Sequence, residues 1–170
     1  MNDDPQVEIR PYAAADSGRV RELTIEGFDG VSIDQATDRQ FGVGPYPSWD
    51  ERKWMSTSRQ LEAHAEHAFV AELGGEVVGY ITTDINYTVR SGRILDMAVD
   101  ARMRRRGIGK RLIAHALAHF RSLGLALARI ETLEQNDAGR ALYPQFGFAE
   151  VARQIHFAMR LDSPEETRRG

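Results

Sequence analysis

Arg104-Arg105-Arg106-Gly107-Ile108-Gly109-Lys110 is the stretch that decides the fold. The apolar run Ile94-Leu95-Asp96-Met97-Ala98-Val99 precedes it. Behind it Ile108, Leu112, Ala116, Phe120 and Leu123 recur at spacings of three and four until Gly124. Strand, glycine-broken basic loop and helix start are the parts of an anion cradle. Glycines let backbone N–H groups approach a phosphate, and a helix N-terminus adds unpaired donors and partial positive charge. The loop is not a P-loop, because position 104 is Arg and Arg111 stands where a hydroxyl is needed. It is not a dinucleotide fingerprint either, since Leu112 replaces the third glycine.

Working outward, Val7 to Arg10 alternates like a short strand that stops at Pro11. Asp16 is placed to cap a helix to about Phe28, and Asp50 a second to about Ala65. Residues 29–49, rich in Gly and Pro, read as turns. Ala68 to Leu73, Gly74-Gly75 and Glu76 to Thr83 read as a hairpin, and Arg93 to Val99 as a fourth strand. A fifth strand is expected over 128–134, a short helix from Asp137 to Tyr143, and two last strands between Phe148 and Leu161. The polar tail from Asp162 is expected to be disordered. One domain spans 1–170, with its core over about 7–161.

With 170 residues, 42% of them hydrophobic, the chain can bury a core as one domain. A formal charge of −3 gives no case for nucleic acid. Zero cysteines exclude disulfides, thiolate ligands and a Cys nucleophile. No apolar run approaches a membrane span, and Met1 to Pro5 has no signal-peptide start, so a cytoplasmic protein is expected. His115 and His119, an i, i+4 pair, lack a local third ligand, so no metal is expected.

Read together, residues 93–161 resemble the core of the GNAT superfamily of acetyl-CoA-dependent N-acetyltransferases. The loop with its flanking strand and helix matches the first core motif over 94–123. Ile130 to Leu133, Asn136, Leu142-Tyr143 and Phe146-Gly147-Phe148 match the second. The resemblance implies an α/β fold: a mixed, mostly antiparallel sheet of about seven strands flanked by about four helices. It implies acetyl-CoA as co-substrate and direct attack by an amine. The backbone of Arg105, Arg106, Gly107, Ile108, Gly109 and Lys110 would hold the pyrophosphate, helped by the side chains of Arg104 and its neighbours. Main-chain atoms of Met97, Ala98 and Val99 would hold the acetyl group, and Asn136 would touch the cofactor arm.

Tyr143 would be the acid that protonates the leaving thiolate, its ordinary pKa of roughly 10 keeping it protonated. Glu131 is the first choice for the base that deprotonates the amine; Asp96 and Tyr80 are weaker choices. Asp96 interrupts an apolar strand, and Gly139 replaces an Ala usual in the family. A tight turn between the last strands favours a small-molecule amine over a protein or peptide amine. Asp29, Asp34, Asp38, Asp50 and Glu51 could attract a cationic acceptor. A catalytically silent acyl-CoA-binding module is the competing reading, and a homodimer is left open.

Overall fold

A computed structural model describes residues 6–162. Of the tail expected from Asp162, residues 163–170 lie outside the described residues. Five strands form one sheet in chain order: β1 (Glu8–Pro11), β2 (Phe69–Leu73), β3 (Glu76–Asn86), β4 (Ser91–Val99) and β5 (Leu127–Ile130). β1 to β4 pair antiparallel, and β4 and β5 pair parallel. Five α-helices accompany them: α1 (Ser17–Phe28), α2 (Ile33–Phe41), α3 (Trp49–Ala63), α4 (Ile108–Ser122) and α5 (Asp137–Leu142). The mixed sheet matches the expectation, but the counts of seven strands and four helices do not.

The differences have local causes. α2 forms inside the stretch read as turns, because glycines and prolines flank it rather than fill it; Ser32 stands at its N-cap and Gly42 at its end. β5 is four residues long and stops before Glu131. Between Phe148 and Leu161 the described chain forms no strand. Phe148 is the last residue packed on the core, so beyond it nothing supplies a sheet neighbour. Asp16 stands at the N-cap of α1 but its side chain makes no cap hydrogen bond to that helix. Instead it accepts hydrogen bonds from Arg10 at 2.8 and 2.9 Å and from the Ala13 amide at 2.8 Å, tying β1 to the turn before α1.

Each face of the sheet is covered. α4 lays Ile108, Leu112, Ile113, Ala116, Leu117 and Phe120 against Phe69, Ala71, Ile81 and Ile94. On the other face Val20 and Leu23 of α1 and Leu61 of α3 meet Val70, Val77, Tyr80 and Ala98. The helix periodicity of the sequence is what puts these apolar residues on one side of each helix.

β4 is irregular where it counts. Thr82 pairs with Asp96 but Thr83 with Ile94, so Leu95 is an extra residue, a β-bulge. A bulge bends its strand and changes which side chains face which way. Ile94, Met97 and Val99 consequently face α4, while Asp96 and Ala98 face α1 and α3. The last β4–β5 pair is Ile94–Ile130, so the strands part where the bulge sits.

Candidate functional site

From Asp96 to Val99, β4 has a partner on the β3 side and, among the described residues, none on the β5 side. Free main-chain donors and acceptors therefore line the cleft, in the stretch that contains Met97, Ala98 and Val99. Asp100 then turns the chain out of the sheet. Its carboxylate is buried, accepts from the Arg102 amide at 2.8 Å, and pairs with Arg102 and Arg19. The Arg102 guanidinium beside Asp100 is the chief cause that holds its carboxyl well below the usual range.

The loop that follows is held open by backbone geometry. Arg105 and Gly107 have φ of +64° and +77°. Gly107 is the N-cap of α4, and only glycine takes this left-handed conformation at no steric cost. Among the described residues, the amides of Arg105, Arg106, Gly107, Ile108, Gly109 and Lys110 donate to no protein acceptor. The side chains of Arg104, Arg105, Arg106, Lys110 and Arg111 are exposed, and none has an acidic partner among the described residues. Six free N–H groups at a helix N-terminus, beside unpaired cations, are the donor set that an anion would need.

Gly109 joins this loop to the cleft. A Cβ added there would meet Leu142 of α5 at 3.7 Å, Met97 at 3.8 Å and Val99 at 3.9 Å. Loop, β4 end and α5 thus meet around one point. α5 begins at Asn136, whose Oδ1 accepts from the Gly139 amide at 3.2 Å and whose Nδ2 donates to Thr132 at 2.8 Å. Gly139 has a spatial reason: a Cβ would lie 2.8 Å from the Tyr143 hydroxyl and 2.9 Å from Asn136 Nδ2. The phenol of Tyr143 therefore lies across α5 toward the cap. Burial pushes its pKa up, and the Thr132 hydroxyl partly offsets that.

Glu131 is the first residue past β5, half-exposed, in ion pairs with Arg93 and with Arg129 at 3.6 Å. It stands at the point where β4 and β5 part, on the surface and outside any strand. Asp96 lies behind β4 with both oxygens engaged, one by Lys53 at 2.5 Å and one by Thr57 at 2.7 Å. Tyr80 is fully buried beside Thr24 at 2.8 Å, and burial first, then the Asp96 charge, raises its pKa. The polar network behind β4 was unreadable in sequence, since Asp96 and Lys53 are 43 positions apart. The only signal was an Asp inside an apolar strand.

Two further expectations change. Asp34 and Asp38 are held by Arg52 at 3.1 and 2.8 Å, and Asp29 accepts from Gln35 at 2.7 Å, so little free acidic surface remains on α2. His119 pairs with His67 at 2.9 Å as well as sharing a helix face with His115. No group of three or more residues that could hold a metal lies among the described residues.

The family model described as acetyltransferase (GNAT) family matches residues 30–148. A mycothiol acetyltransferase from Streptomyces bingchenggensis is 32% identical over 133 residues, 65% of this chain and 43% of that relative. The chain therefore spans less than half the length of that protein. The ribosomal protein bS18-alanine N-acetyltransferase of Escherichia coli K12 is 25% identical over 143 residues, 84% of this chain and 92% of that one. A crystal structure of a PaiA N-acetyltransferase from Thermoplasma acidophilum in complex with coenzyme A superposes with a TM-score of 0.69 at 18% identity. It covers 85% of this chain and 90% of that chain, a likeness of fold.

Proposed function

Since the chain belongs to the GNAT acetyltransferase family, we propose that it transfers the acetyl group of acetyl-CoA to a primary amine by direct attack. The observation that carries this reading is the meeting, around Gly109, of six undonated amides with the parted edge of β4. A diphosphate fits the first element and an extended amide-bearing arm fits the second, because both want backbone hydrogen bonds rather than side-chain chemistry. Acetyl-CoA supplies an acetyl thioester, whose C–S bond breaks as the amine nitrogen bonds to the carbonyl carbon.

The chain's residues then have distinct tasks. Backbone amides of Arg105 to Lys110 bind the pyrophosphate, with Arg104, Arg105, Arg106 and Lys110 adding charge-assisted contacts. Main-chain groups of Met97, Ala98 and Val99 orient the acetyl end, and one strand N–H donates to the oxygen that gains charge. Asn136 holds the start of α5 and reaches the pantetheine arm. Tyr143, kept protonated by burial, gives its proton to the departing thiolate sulfur.

The amine arrives as an ammonium, since an alkylamine has a pKa of roughly 10.4. Glu131, half-exposed at the head of the cleft, takes its proton, directly or through water. Asp96 does not serve, because Lys53 and Thr57 already hold both its oxygens in the interior. Tyr80 does not serve either, because burial keeps its hydroxyl protonated.

A small-molecule amine of low charge is favoured as acceptor. The tight turn that first suggested it is absent among the described residues, so the reading now rests on Arg52. By pairing with both Asp34 and Asp38 it halves their negative charge and weakens the attraction a polyamine or basic peptide would feel there. A thiol-release assay with acetyl-CoA and a panel of amines, amino acids and peptides is the test. Turnover with a small monoamine is expected. Binding of acetyl-CoA with no turnover on any amine would replace the enzyme by an acyl-CoA-binding module.

A further inference from the structure

Two arginines stand where the cleft opens, and nothing in the transfer of the acetyl group calls for them. Arg93 of β4 and Arg129 of β5 are register partners, one step before the last pair, Ile94–Ile130. Ile94 and Ile130 pack on the α4 side, so the alternation of a strand sends Arg93 and Arg129 to the opposite face, where Asp96 also lies. Both guanidiniums are exposed, and both turn to Glu131, two positions past Arg129 and beyond the point where the strands part. They therefore lean toward the cleft. The Arg93–Arg129 step lies about 13 Å along β4 from Met97, a gap that an arginine side chain and a short substrate can span together.

The charges do not balance. Like charges side by side on neighbouring strands weaken a sheet, and here two cations share one carboxylate. Among the described residues neither arginine has a second acidic partner. Asp84, the neighbour of Arg93 across β3, lies instead 3.4 Å from His64. A guanidinium presents a planar fork of donors that suits a carboxylate, so the missing partner has an obvious chemistry. A bare alkylammonium finds Glu131 under two cations and is repelled. A molecule with both an ammonium and a carboxylate meets both signs.

We propose that the acceptor is a free amino acid, α or ω, whose carboxylate is held by Arg93 and Arg129 while its ammonium meets Glu131. This rests on the acetyltransferase reading above and adds the substrate class to it. The incoming carboxylate takes over the guanidiniums and frees Glu131 for the ammonium. That ammonium loses one proton to Glu131. Its nitrogen bonds to the acetyl carbon as the C–S bond breaks. Tyr143 protonates the sulfur and is restored by the second proton that the nitrogen sheds. An N-acetyl amino acid and coenzyme A leave. A zwitterion also has the low net charge already favoured for the acceptor.

Thiol release from acetyl-CoA with glycine, β-alanine and γ-aminobutyrate, each beside its own carboxamide, tests this on the unmodified protein. At least one amino acid should exceed its carboxamide about tenfold or more in kcat/KM. Arg129 is 61% exposed, so its replacement leaves the core alone. Arg129→Gln should bring that ratio close to unity, mainly through KM, and Arg129→Lys, which keeps the charge, should retain most of it. Carboxamides turned over as well as the amino acids, or an unchanged ratio in Arg129→Gln, would overturn this proposal and leave the acetyltransferase reading standing. So would a carboxylate preference confined to peptides with an acidic second residue, which would point to a protein substrate. No turnover on any amine would overturn both.

Discussion

The two sides of β4 handle charge in opposite ways. Behind the strand every group has found its partner: Asp96 holds Lys53 and Thr57, Thr82 donates to Gln60 at 2.7 Å, and Tyr80 meets Thr24. In front, six amides and a ring of arginines have none among the described residues. Buried polar groups must be satisfied within the fold, so the first set is structural. Donors left free at a helix start are what an anion would need, and the proposed function assigns the second set to the pyrophosphate. A strand can serve both because successive residues alternate faces, and the bulge at Leu95 resets the phase so that Asp96 points one way and Ile94 and Met97 the other.

The largest expected effect breaks the rear network. Asp96→Ala strands a Lys53 side chain that is only 11% exposed and should cost about 3–5 kcal/mol, read from urea midpoints. Adding Lys53→Met should recover much of the loss; no recovery would mean that Asp96 matters for something besides this pair. In front, Tyr143→Phe should lower turnover about a hundredfold while acetyl-CoA affinity stays within twofold, measured by steady-state kinetics and calorimetry. Unchanged turnover would remove the acid role.

Glu131→Gln should depress the rate by about tenfold and most strongly below the pH optimum, where a base is scarce. A pH-independent loss would assign proton removal to solvent. Gly139→Ala should lower turnover less, by about threefold, because the Tyr143 hydroxyl, 2.8 Å from the added Cβ, must shift to make room. Wild-type rate in that variant would show that the phenol's position is unimportant. Smallest is the pH effect on stability. Burial, chiefly, holds the pKa of His119 below its ordinary value, with His67 and His115 adding to it. A group so depressed stabilises the fold above its unfolded pKa, and the contribution fades as pH falls from roughly 6.5 through the lower folded value. Thermal melts between pH 7.5 and pH 5 should drop less for His119→Gln than for the unaltered chain (pH limits are about these values).

Local pattern made most of the sheet and the front of the site legible in sequence. β1 to β4, α1, α3 and α4 each write their own periodicity, and Gly107 with Gly109 marks the anion loop within a few positions. What failed was whatever depends on distant partners. α2 was hidden by flanking glycines and prolines. Asp96 looked anomalous, but Thr57 and Lys53 lie 39 and 43 positions away. The two strands expected between Phe148 and Leu161 do not form among the described residues, because a strand needs a neighbour that its own pattern does not name.

Calorimetric titration of the chain with acetyl-CoA tests the central claim most directly. One site per chain is expected, with affinity falling about tenfold or more in Gly107→Val, where a β-branched residue cannot hold φ of +77° and the amides lose their alignment. No heat of binding, or equal affinity in a folded Gly107→Val, would contradict it.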